Sequence, residues 1–181
     1  TAFHQTMKED AYMYAVPYEW FENYKVRKYG AHGTSHQFVA NKCAELMNKP
    51  IEDLKIVTLH IGNGASLSAV KGGKCVDTSM GLTPLEGLIM GTRSGDLDPA
   101  VLSFVMNKEH IDVNEMTTIL NKKSGLLGIS GKTGDIRDLK NLAKNGDERA
   151  ELAIDMFAYR VRKYIGAYMA VLGRVDMITF E

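Results

Sequence analysis

Apolar residues recur along the chain at spacings that change from one segment to the next. From Ser35, the residues Phe38, Val39, Cys43, Leu46 and Met47 return at helical intervals, and Asn48-Lys49-Pro50 ends the run. Lys55 to His60 is a β-branched stretch that predicts a buried strand, closing on Gly62-Asn63-Gly64. Ser66 to Val70 alternates as a second strand, and Gly72-Gly73 turns the chain back into Lys74 to Asp77, so these two form a hairpin. Residues 81 to 98 are a long glycine-rich connection. Asp98-Pro99 opens a helix running to about Met106, and Asp112 with Glu115 opens another that stops at Ser124-Gly125. Gly128 to Gly134 reads as a second glycine-rich loop, with Asp135 capping the helix after it. Asp147 to Leu172 is the longest helical pattern. Beyond Met156 it is apolar nearly all round, which predicts burial between layers, with Arg160, Arg162 and Lys163 as its solvated margin. Gly173 caps it before a last strand. The first thirty residues, rich in tyrosine, show no sustained period and read as irregular structure with short helices. Strands mixed with long helices argue an α/β class.

Composition narrows the function classes. With 181 residues, 45% hydrophobic and 24% charged, the chain can bury a core and is not a disordered segment. Its 22 basic and 22 acidic residues balance, so neither a nucleic acid nor a membrane surface is an expected partner. Cys43 and Cys75 form neither a CxxC pair nor a disulfide framework, and no apolar run is long enough to span a bilayer; both point to the cytoplasm. The chain opens at Thr1 without Met and closes on Met177 to Glu181, an apolar run that reads as a strand just starting. The expectation is a piece of a longer protein.

Four segments are candidates for chemistry. In His60-Ile61-Gly62-Asn63-Gly64, glycines flanking an Asn between two strands let backbone amides approach an anion; the alternative is a tight Asn-Gly turn with no ligand. In Gly91-Thr92-Arg93-Ser94-Gly95-Asp96, an arginine among small residues can bring its planar fork to a transferring phosphoryl group, or can be an ordinary loop arginine. His32-Gly33-Thr34-Ser35-His36 places two histidines four apart without the glutamate of a zinc helix. Its first histidine is then a donor to developing negative charge or a structural residue. Gly128 to Asp135 contains Gly-Lys-Thr but lacks the upstream glycine of a phosphate loop; Asp135 is a candidate acceptor for ribose hydroxyls.

The order of these segments resembles the acetate kinase family. The resemblance is carried by Arg27-Lys28-Tyr29-Gly30-Ala31-His32-Gly33-Thr34-Ser35-His36, Leu59 to Gly64, Asp77-Thr78-Ser79-Met80-Gly81, Thr83-Pro84-Leu85-Glu86-Gly87 and Gly91 to Asp96. It extends through Asn121 to Gly128 and Phe157 to Val161, and so covers essentially the whole chain. It implies part of an acetate and sugar kinase, Hsp70 and actin-type fold, of the ribonuclease H-like kind with a mixed sheet and flanking helices. Residues 1–181 would be one partial domain, mostly the C-terminal nucleotide-binding one, of a homodimer.

The implied reaction exchanges phosphoryl between ATP and acetate, giving acetyl phosphate and ADP with Mg²⁺. Carried over, His32 and Arg93 would serve the transferring group. His60, Ile61, Gly62, Asn63 and Gly64 would hold the ATP phosphates, and Asp135, Ile136 and Arg137 would meet the adenosine. Ala31 and Pro84 would wall the acetate pocket. Ala31 stands where the family usually has an aromatic, which enlarges the pocket toward propionate. The family's catalytic aspartate would precede Thr1, so the segment alone is expected to be inactive. The alternative is a non-catalytic nucleotide-binding or dimerisation module of the same fold.

Overall fold

The computed structural model describes residues 2–181. A 3₁₀ turn at Ala2–Thr6 and two short helices, α1 (Glu9–Tyr12) and α2 (Tyr18–Tyr24), make up the irregular opening. Helix α3 (Gly33–Met47) follows, then strands β1 (Lys55–Ile61), β2 (Ala65–Lys71) and β3 (Lys74–Thr78). The next elements are helices α4 (Ala100–Glu109), α5 (Val113–Lys122), α6 (Gly125–Ser130), α7 (Ile136–Lys144) and α8 (Glu148–Leu172), and strand β4 (Met177–Phe180) closes the chain. The chain divides into two compact units. One runs to Glu86 and resumes at Arg162–Glu181; the other is Gly87–Val161.

The first unit holds a four-stranded sheet in the order β3-β2-β1-β4. β1 and β2 are antiparallel, as are β2 and β3, whereas β4 runs parallel to β1 with Ile56 opposite Met177 and Leu59 opposite Phe180. Alternation along the strands sorts side chains by face. Ile56, Thr58 and His60 stand opposite Val70, Ser68 and Ser66, so one sheet face is apolar at one end and polar at the other. α3 covers that face with a matching gradient. Ala40, Cys43 and Ala44 pack on Leu54, Ile56 and Val70, while His36, one turn earlier, is buried at the polar end.

The second unit is helical. Ile89, Leu126, Leu139, Ala150 and Ala153 form its core, joined by Ile129, Ile136 and Phe157. Asp112 caps α5 by accepting from the amides of Asn114 and Glu115, both at 2.8 Å, and Asp98 accepts from Ala100 N at 2.9 Å ahead of α4.

Several expectations are corrected. α3 starts at Gly33, two residues before Ser35, and α4 runs on to Glu109 rather than ending near Met106. Of the apolar residues at helical spacing along α3, Phe38 and Leu46 are exposed. The loop expected over Gly128 to Gly134 is half helix: α6 takes in Gly128 to Ser130, because the Leu126 and Leu127 amides bond the Met90 and Gly91 carbonyls and hold its first turn. α8 is not enclosed on all sides. Tyr168 and Leu172 are buried, but Met156, Tyr159, Met169 and Val171 are exposed. Arg160 is not a solvated margin: its Nη1 donates to the Gly87 carbonyl at 3.0 Å and lies 3.8 Å from Asp96. No helix among the described residues is long and apolar enough to cross a membrane.

Candidate active site

His32 sits immediately before α3 with φ 61° and ψ 22°, a left-handed conformation that costs a residue other than glycine about 1–2 kcal/mol. Such strain persists only where the surroundings over-determine it. Here the preceding turn is tightly fitted: a side chain on Gly30 would press within 2.7 Å of both His4 and Thr78. The imidazole of His32 then stacks on that of His60, with ring centroids 4.0 Å apart and planes inclined by 29°. Its Nδ1 lies 2.9 Å from Ser66 Oγ. His60, at the end of β1, has its Nδ1 2.9 Å from Ser35 Oγ and 3.5 Å from the Glu181 carboxylate, which also accepts from Ser35.

Behind this pair lies a buried polar layer that the sequence reading did not assign. His36 bridges Thr58 Oγ1 at 2.7 Å and Ser66 Oγ at 2.8 Å. His4 Nε2 lies 3.2 Å from Ser68 Oγ, itself 3.0 Å from Thr78 Oγ1. Four of the five histidines in the chain thus gather at one end of the sheet. Burial, reinforced by the neighbouring His4, His32 and His60, pushes the His36 imidazole from 6.5 down to about 3. Burial likewise takes His4 down to about 4. Both rings are neutral at ordinary pH. The signal available in the sequence was the second histidine of His32-Gly33-Thr34-Ser35-His36, one helical turn into α3 and so able to face inward.

The turn Gly62 to Gly64 joins β1 to β2, with Ile61 opposite Ala65 and the Gly62 amide donating to Gly64 O at 3.0 Å. Gly62, Asn63 and Gly64 all lie outside the left-handed region, so this is not the two-residue Asn-Gly turn of a tight hairpin. Gly62 and Asn63 are exposed. Ala31 is half-buried beside His32, and Pro84 is exposed.

The remaining candidates belong to the second unit. Arg93 is half-buried in a loop pinned by backbone bonds. Met90 N donates to Arg93 O at 3.1 Å, Ser94 N to Leu120 O at 3.0 Å and Ser124 N to Thr92 O at 3.0 Å. Asp96 closes the base of the loop, its amide donating to Gly87 O at 3.0 Å and its Oδ1 accepting from Gly87 N at 2.8 Å. Asp135 caps α7 through Arg137 N at 2.8 Å, and the Arg137 guanidinium grips both carboxylate oxygens at 3.1 and 2.6 Å. That grip holds the Asp135 carboxyl down at about 2. Ile136 packs into the core of its unit. Among the described residues no cluster of three or more His, Cys, Asp or Glu is arranged to hold a metal.

The chain matches the model of the Acetokinase family over residues 1–181. It is 60% identical over 180 residues to the acetate kinase of Halothermothrix orenii and 61% identical over 180 residues to that of Treponema denticola. Each alignment takes in 99% of this chain but 45% of the relative, so the chain spans under half the length of the curated relatives it matches. Its fold superposes on the crystal structure of the Porphyromonas gingivalis acetate kinase with a TM-score of 0.97 at 50% identity, covering 98% of this chain and 45% of that one. A propionate kinase from Francisella tularensis gives a TM-score of 0.93 at 46% identity, again over 98% of this chain and 45% of its own.

Proposed function

The chain belongs to the acetokinase family, and from that premise we propose that the protein carrying it transfers the γ-phosphoryl group of ATP to acetate, and from acetyl phosphate back to ADP. The observation that carries the reading is His32, held in a strained conformation and oriented by Ser66 and His60 at the polar end of the sheet.

The chemistry asks little covalent help of the protein. A carboxylate oxygen of acetate forms the new bond to phosphorus as the bond to the β-phosphate oxygen breaks, and the electron pair leaves with ADP. Acetate is already ionised at neutral pH, so no proton has to be removed from the nucleophile. The transition state is loose and its charge is spread over the phosphoryl oxygens, so donors and cations matter most. His32 donates a hydrogen bond to those oxygens and Arg93 neutralises their charge. His60 and Ile61 with the turn Gly62, Asn63 and Gly64 hold the nucleotide phosphates, and Asp135, Ile136 and Arg137 meet the adenosine. Mg²⁺ bound with the nucleotide phosphates would offset their charge; among the described residues no cluster of three or more His, Cys, Asp or Glu is arranged to hold it.

Ala31 and Pro84 line the acceptor pocket. A small apolar pocket distinguishes one methylene by only about 1–3 kcal/mol, so propionate is a second acceptor. The protein works as a homodimer in the cytoplasm, and two buried free cysteines suit that reducing compartment.

Steady-state kinetics of the full-length protein, with acetate and propionate as acceptors, test the reading. Arg93→Ala is expected to lower kcat on the order of 10³-fold and His32→Ala about 10²-fold, with KM for ATP within about threefold of wild type. ATP binding without transfer in the wild-type protein would favour a non-catalytic nucleotide-binding module instead.

A further inference from the structure

Three side chains behind His32 connect to it in one hydrogen-bonded line. Thr58 Oγ1 is 2.7 Å from His36 Nδ1, His36 Nε2 is 2.8 Å from Ser66 Oγ, and Ser66 Oγ is 2.9 Å from His32 Nδ1. Thr58, His36 and Ser66 are each at most 1% exposed, so the protons in this line are set by the partners present. A hydroxyl has one proton to give, and a neutral imidazole has one donor and one acceptor nitrogen. The line can therefore run in only two senses.

Thr58 decides between them. Its hydroxyl has a second acceptor in the Ser68 carbonyl, but at 3.4 Å, against 2.7 Å to His36 Nδ1. The longer contact lies beyond the usual hydrogen-bonding range, so the proton goes to His36 Nδ1. His36 must then carry its own proton on Nε2 and donate it to Ser66 Oγ. The Ser66 proton is left for His32 Nδ1, and the proton of His32 sits on Nε2.

We propose that Thr58, His36 and Ser66 are positioning residues that hold His32 as its uncharged, Nε2-protonated tautomer. The proposal rests on the role given to His32 above and adds how that role is secured. In the opposite sense Nε2 would present a lone pair to the anionic phosphoryl oxygens, and the contact would repel. The groups facing His36 are His4 from the N-terminal turn, His32 just ahead of its own helix, Thr58 and His60 from β1, and Ser66 from β2. Burial among them keeps His36 unprotonated down to about pH 3, so the relay holds its sense across the working range.

The test is ¹⁵N NMR of the full-length protein labelled at histidine, beside kinetics of Thr58→Val and Thr58→Ser. In wild type, His32 is expected to show a protonated Nε2 and an unprotonated, hydrogen-bonded Nδ1. Thr58→Val keeps the shape but removes the hydroxyl; it should erode that tautomer and lower kcat about tenfold or more, with KM for ATP unchanged. Thr58→Ser keeps the hydroxyl and should restore both. A purely structural role predicts the reverse order, since serine leaves a void and valine fills it. A wild-type His32 protonated on Nδ1 overturns the proposal even if neither variant folds, and so does Thr58→Val with normal kcat and an unchanged tautomer. His32→Ala with normal kcat would instead overturn the role of His32 itself, whereas the nitrogen assignments are read without turnover.

Discussion

His4 and His36 are at most 1% exposed, and burial first, then neighbouring positive charge, holds their imidazoles at about 4 and about 3 against an ordinary 6.5. The unfolded chain therefore binds more protons than the native one once the pH falls below about 6.5. Stability is complete above that value and drops as pH falls toward the native values, by up to about 1.4 kcal/mol per pH unit for each ring. The urea midpoint is expected to fall steeply between pH 6.5 and 4.5, before most carboxylates titrate. A midpoint constant from pH 7 to 5, with loss only below pH 4, would place the sensitivity on carboxylates and contradict the buried histidines. The same two residues mark where local reading stopped. His32 stood out because Gly33 follows it at a helix start. His36, Ser66 and Thr58 did not, because their meeting depends on Ser66 pairing with His60 and Ser68 with Thr58 across two strands.

At the scale of elements, spacing made most of the architecture legible. A β-branched run, an alternating run and turn glycines gave β1 to β3, and caps at Asp112 and Asp135 gave α5 and α7. α6 escaped because Gly125 to Ser130 has two glycines in six residues and little propensity of its own. Tertiary bonds make it helical, and those bonds also fix the Arg93 loop. Gly125, at φ +61°, sits where a methyl group would collide with the Met90 carbonyl and lie 2.6 Å from that of Arg93. Gly146, at φ +86°, has nothing within 4 Å of the same added atom. Gly146→Ala should therefore cost only the left-handed strain, about 1–2 kcal/mol. Gly125→Ala should cost that plus the displacement of the Arg93 loop, about 3 kcal/mol or more, and should lower kcat of the full-length protein as well. Equal shifts in unfolding midpoint for the two variants would show that the loop is not pinned by Gly125.

For the molecule as a whole, apolarity was legible along α8 but its surroundings were not. A helix pattern records which residues are apolar and not what covers them, and Tyr159 and Val171 are exposed here despite their type. The division of the candidate residues was also invisible to pattern. His32, His60 and Asn63 belong to one compact unit, and Arg93, Asp135 and Arg137 to the other. Phosphoryl transfer depends on charge neutralised at every oxygen of a loose transition state and on water kept from the transferring group, because water competes with the acceptor. Such sites are completed by closure of whole elements around the substrate. This chain spans 45% of the length of the acetate kinases it resembles at 60–61% identity. The 181-residue chain alone, given ATP, Mg²⁺ and acetate, is thus expected to form no acetyl phosphate above the uncatalysed rate, while the full-length protein forms it readily. Trapping the product with hydroxylamine reads both preparations in one assay. Turnover by the isolated chain would mean that His32, Arg93 and their neighbours suffice without further structure.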